Sequence, residues 1–146
     1  MGENRVTFTV RGEPTGKGRP KFDTRGPFPR AVTPKKTANY ETLTQMEYEA
    51  QCPGRFFPKE AALGMKITAY KPIPKGTSKR KVLQMLQNLI RPGKKPDFDN
   101  VGKIICDALN GVAFHDDAQI VDGRVIKRYD EAPRVEVEIW EEGING

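Results

Sequence analysis

The stretch KKPDFDNVGKIICDALNG, residues 94–111, constrains this chain more than any other. At about 100° per residue, Val101, Ile104, Ile105, Ala108 and Leu109 fall on one side of a helix. Asp99, Lys103 and Asp107 fall on the opposite side at i, i+4 steps, and Asn110-Gly111 supplies a stop. The helix is expected to begin near Asp99 or Asn100, either of which can cap it. It must lay its apolar stripe on another layer and show an acid-base-acid stripe to water. The ordinary explanation of that stripe is two ion pairs worth a few tenths of a kcal/mol each. Asp97 escapes this explanation, because a cap needs one acid and not two. Pro96 pushes Lys95 toward an extended conformation, and a short extended lead-in can aim Asp97 and Asp99 at one point. A second acidic pair, Asp116 and Asp117, follows in AFHDDAQIV.

These acids are concentrated in a basic chain. Lysine and arginine number 25 against 19 aspartates and glutamates, a net charge of +6. That excess favours a polyanionic partner, nucleic acid ahead of an anionic membrane surface, over a basic surface that only meets water. At 146 residues and 36% hydrophobic, the expectation is one domain, residues 1–146, with a real core. No apolar run approaches the roughly 18 residues of a membrane span. The start, MGENRVTF, lacks the apolar centre of a signal peptide, and Val6 stands where a myristoylation signal needs Ser or Thr. Cys52 and Cys106 have no CxxC spacing and one histidine for company, which argues against zinc and for a reducing compartment. A soluble cytoplasmic protein with no small-molecule cofactor is expected.

The rest of the chain reads as alternating elements. RVTFTVR places Val6, Phe8 and Val10 on one face of a strand. Residues 12–36 are rich in Gly, Pro, Lys and Arg and read as a long irregular loop. Thr33 as cap and Pro34 as first residue open a helix through Gln51, with Tyr40, Leu43, Met46 and Ala50 facing inward. AALGMKITAYK is a second strand, alternating Leu63, Met65, Ile67 and Ala69. Thr77 or Ser78 caps another helix with apolar Val82, Leu86, Leu89 and Ile90, closed by Arg91, Pro92 and Gly93. AQIVDGRVIKRY and RVEVEIW are two strands expected to form a hairpin at DEAP. The class is α+β: a small mixed or antiparallel sheet of about four strands with about three packed helices.

Oxygen-only ligands clustered at a helix start suit Mg²⁺ or Mn²⁺. A third carboxylate, from Asp116 or Asp117, would complete such a site, with the cation neutralising charge at a phosphate held by the basic loops. Two rival motifs fail. DFDNV matches the opening of aspartyl-phosphate phosphatases, but RPGKKP precedes it where a buried apolar strand is needed. An EF-hand loop fails because Val101 stands at a ligand position and no glutamate follows at the right distance.

KKPDFDNVGKIICDALNGVAFHDDAQIVDGRVIKRY closely resembles the core of RusA-type Holliday junction resolvases, and GKGRPK through VTPKKTANYE resembles their phage-type branch. Residues 51–93 carry the least of this resemblance. It implies a Mg²⁺-dependent endodeoxyribonuclease that acts as a homodimer on branched DNA, the four-way junction. It matches Asp97 and Asp99 to the paired metal-binding aspartates, Asp117 to the third, and Lys103 to a lysine that assists at the phosphate. Asp116 stays open as the alternative third ligand. Asp107 matches a structural or accessory position. His115 reads as an incidental exposed histidine, Cys106 as packing and Trp140 as sheet packing ahead of base stacking. Candidate backbone contacts are Lys17, Arg19, Lys21, Lys35, Lys36, Lys79, Arg80, Lys81, Lys94 and Lys95. Two other functions fit the residues less well. One is a non-catalytic nucleic-acid-binding protein, the other a metal phosphohydrolase acting on small molecules.

Overall fold

The computed structural model describes residues 4–146; the Met1-Gly2 start considered for acylation lies outside the described residues. The architecture is α+β, as expected. In chain order it comprises β1 (Arg5–Arg11), β2 (Lys21–Asp23), β3 (Arg30–Val32), α1 (Lys35–Gln51), β4 (Ala61–Pro72), α2 (Lys79–Leu86), α3 (Phe98–Leu109), a single 3-10 turn (Asp117–Gln119), β5 (Ile120–Asp130) and β6 (Arg134–Ile144). Four strands form a mixed sheet in the order β1-β6-β4-β5, antiparallel except for the parallel pair β4-β5. That pair needs a crossover, which α2 and α3 supply.

The alternating residues point as their period demands. Val6, Phe8 and Val10, then Leu63, Met65, Ile67 and Ala69, then Val135, Val137 and Ile139 are all buried in one core with the apolar stripe of α3. Thr7, Thr9, Lys66, Glu136 and Glu138 share the opposite, polar face. Trp140 also lies on this face. It packs over Gly64, its partner across β4 and β6, with the Arg5 guanidinium 4.8 Å from its ring and its indole N–H donating to Glu142 at 2.7 Å. This is the sheet-packing role expected for Trp140. No described helix is long and apolar enough to cross a membrane.

Four expectations change. First, β5 and β6 are not a hairpin, because β4 lies between them. The short link is instead strapped by Arg134, whose Nη1 donates to Asp130 at 2.7 Å and to the Ala132 carbonyl at 2.8 Å, and whose guanidinium stacks 3.9 Å from the Tyr70 ring centroid. Second, α1 starts one residue later, with Pro34 in the cap position, and buries Thr37, Tyr40, Thr44 and Tyr48. Leu43 and Met46 are exposed. Threonine can hold the inner face because its hydroxyl is satisfied locally: Thr44 donates to the Tyr40 carbonyl at 2.8 Å. Tyr48 meets Phe8 edge to face at 5.2 Å and donates to the Arg55 carbonyl. Third, α2 ends at Leu86 and buries Met85, leaving Leu83, Leu86 and Leu89 exposed. Ser78 caps it, and Asn88 at φ 63° turns the chain out of helical geometry. Fourth, the loop 12–36 contains the small β2-β3 ribbon.

A methyl group at Gly64 would occupy the space of the Trp140 ring. Gly64→Ala is therefore expected to cost about 1–3 kcal/mol of stability, seen as a lowered Tm, by forcing the indole off the sheet.

Candidate active site

Helix α3 begins at Phe98 with Asp97 in the cap position, one or two residues before the expected start. The usual use of a cap aspartate is to accept from an amide of the first turn. Asp97 does not do so, and among the described residues its carboxylate makes no hydrogen bond. Asp99 accepts only from the Asn100 amide beside it, at 3.0 Å, and both acids are exposed. The positive end of the α3 dipole favours these two charges without binding them.

The lead-in to Asp97 is held from below by two lysines. Lys71, near the end of β4, donates to the Lys95 carbonyl at 2.6 Å. Lys127 on β5 donates to the carbonyls of Lys94 at 2.8 Å and Pro96 at 3.1 Å. The parallel register sets Ala69 beside Lys127, so the two cations stand two residues apart on neighbouring strands. They continue the core-facing rows past the point where the core ends.

A second clasp comes from the N-terminal loop. The Lys17 amide donates to the Asn100 carbonyl at 3.0 Å and the Gly18 amide to the Thr37 hydroxyl at 3.0 Å. The glycines allow this closeness: a Cβ at Gly16 would lie 2.8 Å from that of Pro96, and one at Gly18 would lie 2.8 Å from the Thr37 oxygen. Lys17 turns inward, 2.9 Å from Glu41 on α1 and 3.0 Å from Asp107 on α3. Burial pulls its ammonium down, but bonds and charge from both carboxylates outweigh that and raise its pKa above the ordinary range. Lys17, expected at a phosphate, is thus already matched by two acids. Asp107 likewise pairs with Lys17 and not with Lys103. Lys103 is exposed and forms no ion pair among the described residues. The two ordinary i, i+4 pairs are therefore absent.

At the far end of α3 the HDDAQ segment folds on itself. Asp116 accepts from the Ala118 amide at 2.9 Å, which commits its carboxylate to a cap. Gln119, buried, receives the amides of His115 and Asp116 and donates to the carbonyls of Pro58 and Ala61. The Asp117 amide donates to the Asn110 side chain at 2.9 Å, and its exposed carboxylate makes no hydrogen bond among the described residues. Asp116 and Asp117 thus differ in that one oxygen of Asp116 is used in a cap. Burial first, then the charges of Asp117 and Asp107, push the neighbouring Cys106 thiol up to about 12. That agrees with the packing role expected for Cys106. Asp97 and Asp99 thus lie at the start of α3 and Asp117 in the turn after its end, with Lys103 exposed on the helix between. Among the described residues, no three acidic, histidine or cysteine side chains converge on one point.

Beside Asp97 opens a groove of about 550 Å³, lined by the Gly16–Arg19 loop, Lys36, Lys71, Lys95 and Asn100. Arg19, Lys36 and Lys95, expected at phosphates, line it. Lys35 lies next to it on α1, Lys94 on its exposed approach and Lys21 on the ribbon. Lys79, Arg80 and Lys81 open α2, which packs on β5, and do not line the groove. Lys71, Lys127, Asn110 and Gln119 were not expected. The partners of Lys71, Lys127 and Asn110 lie 7 to 33 residues away in sequence, with no local signal, whereas Gln119 bonds both distant carbonyls and, at capping-box spacing, its neighbours His115 and Asp116.

A family model described as endodeoxyribonuclease RusA matches residues 11–140. The chain is also 38% identical over 138 residues to the uncharacterized protein YqaN of Bacillus subtilis (strain 168), covering 93% of this chain and 96% of that protein.

Two outcomes test this geometry. Lys17→Met is expected to destabilise by about 1–3 kcal/mol in thermal or urea unfolding, because it leaves two carboxylates facing each other; Lys17→Arg should recover most of it. In the folded protein at pH 8, Cys106 should resist iodoacetamide and become labelled only on unfolding, read by mass spectrometry.

Proposed function

The chain belongs to the RusA family of endodeoxyribonucleases, enzymes that resolve Holliday junctions, and we propose that it cuts branched DNA by Mg²⁺-dependent, paired phosphodiester hydrolysis. One observation carries this reading: carboxylates at the start of α3 that make no cap, beside a groove walled by cations. A carboxylate without a partner near a polyanion is unfavourable unless a cation lies between them.

The donor set fits a hard divalent cation in kind. Asp97 and Asp99 offer oxygen ligands only, and neither is committed to a structural bond that binding would break, the local Asp99–Asn100 contact aside. Asp97 and Asp99 would hold Mg²⁺, or Mn²⁺ in its place, and Asp117 would be the third carboxylate, with Asp116 kept as a cap. Such an ion, when bound, would supply charge neutralisation at the phosphate and a more acidic water. Lys103, exposed between the acids, places an ammonium toward phosphate oxygens as charge builds on them. Arg19, Lys36 and Lys95 orient the strand along the groove, with Lys35, Lys94 and Lys21 extending the basic path. A four-way junction has approximate two-fold symmetry, so two symmetric cuts call for a C2 homodimer.

The experiment is cleavage of a synthetic four-way junction with and without Mg²⁺. Asp97→Asn, Asp99→Asn and Asp117→Asn should each abolish cleavage while keeping the wild-type Tm. Junction binding in Ca²⁺ should persist. Full activity in any one removes that residue from the site. Lys103→Ala should slow single-turnover cleavage by about 10²-fold, on the order of 3 kcal/mol of transition-state stabilisation, with binding nearly unchanged.

A further inference from the structure

The β2-β3 ribbon, residues 21–32, is a two-stranded unit apart from the main sheet. It contributes nothing to the core: Phe22 is 74% exposed and Phe28 80%. Phe28 sits in the tip sequence Thr24-Arg25-Gly26-Pro27-Phe28-Pro29. A proline on either side restricts the backbone that presents the ring. Asp23 braces the tip, accepting from the amide and guanidinium of Arg25 at 3.0–3.3 Å and from Arg30 at 3.2 Å. Its charge is thereby matched, while the Arg25 and Arg30 side chains remain 90% and 75% exposed. With Lys21, the ribbon presents aromatic rings among net positive charge.

Its placement says what covers it. The chain leaves the groove at Gly18 and Arg19, runs out through β2, returns through β3 and re-enters the groove wall at Pro34 and Lys36. The ribbon is thus an excursion of the same segment that walls the groove at both of its ends. Cations alone would suit any duplex. Exposed phenylalanines among those cations match a flat apolar surface, which DNA offers where bases are unstacked.

We propose that Phe28, supported by Phe22, stacks on unpaired bases at the branch point, so that the ribbon distinguishes a junction from a linear duplex. This rests on the nuclease reading above and adds how that site would select its substrate. Both rings are exposed, so their replacement should leave the Tm unchanged.

The test measures binding in Ca²⁺ to a synthetic four-way junction carrying 2-aminopurine at the branch point, and to a linear duplex of the same sequence. Phe28→Ala should weaken junction binding by about 5- to 150-fold, leave duplex binding unchanged and lose the change in 2-aminopurine fluorescence; Phe28→Trp should restore all three. Equal losses on both DNAs, or none on either, overturn the ribbon's role while leaving the nuclease reading intact. Loss of self-association with unchanged DNA selectivity makes the ribbon a protein contact and overturns it too. A wild-type protein that neither binds nor cuts the junction overturns both readings together.

Discussion

Helix α3 is fixed on every side except the one that bears the acids. Its apolar stripe, Val101 to Leu109, is buried in the core shared with the sheet. Lys17 bridges it to α1 through Asp107 and Glu41. Lysines from β4 and β5 grip the segment that leads into it, and Asn110 at its end ties down the Asp117 amide. What remains exposed are Asp97, Asp99, Lys103 and, past the helix end, Asp117. The backbone that carries these side chains is fixed, while among the described residues their oxygens carry only the local Asn100 contact on Asp99.

The cations divide into two populations that composition cannot separate. Lys17, Lys71 and Lys127 point at protein oxygens, two of them at carbonyls. A lysine on a backbone carbonyl keeps its positive charge, so it holds the loop and also contributes to the potential over the groove. The Lys95 carbonyl is fixed this way while the rest of Lys95 lines the groove. Positioning and attraction come from the same charges. This is how a chain with an excess of cations can hold a cluster of acids open without neutralising each one directly.

Legibility followed the range of the interactions involved. The α3 stripe and the alternation in β1, β4 and β6 were readable because one face buries apolar residues at the period of the element. The acid pair was readable because two aspartates exceed what a cap can use, although it is Asp97 that holds the cap position, without capping. In α1 the rule misled, since Thr37 and Thr44 are buried with satisfied hydroxyls while Leu43 and Met46 face water. The apparent β5-β6 hairpin failed for a topological reason: a short link across DEAP looks the same whether the strands pair or straddle a third. The family resemblance favoured Asp117 and kept Asp116 as the alternative. In the fold Asp116 caps its own turn through local bonds with Ala118 and Gln119, while the Asp117 amide is held by Asn110, seven residues back.

The glycines of GKG complete this logic. Read alone they look like loop punctuation. In the fold they mark where the loop backbone presses on Pro96, Asn100 and Thr37, so that Lys17 reaches both helices. The inner lysine then has a structural reason to be flanked by glycines, and Arg19, one residue further on, is delivered to the groove rim. Alternate residues of one short motif thus serve opposite ends. Lys17 closes the protein against itself, and Arg19 is exposed on the groove beside Asp97.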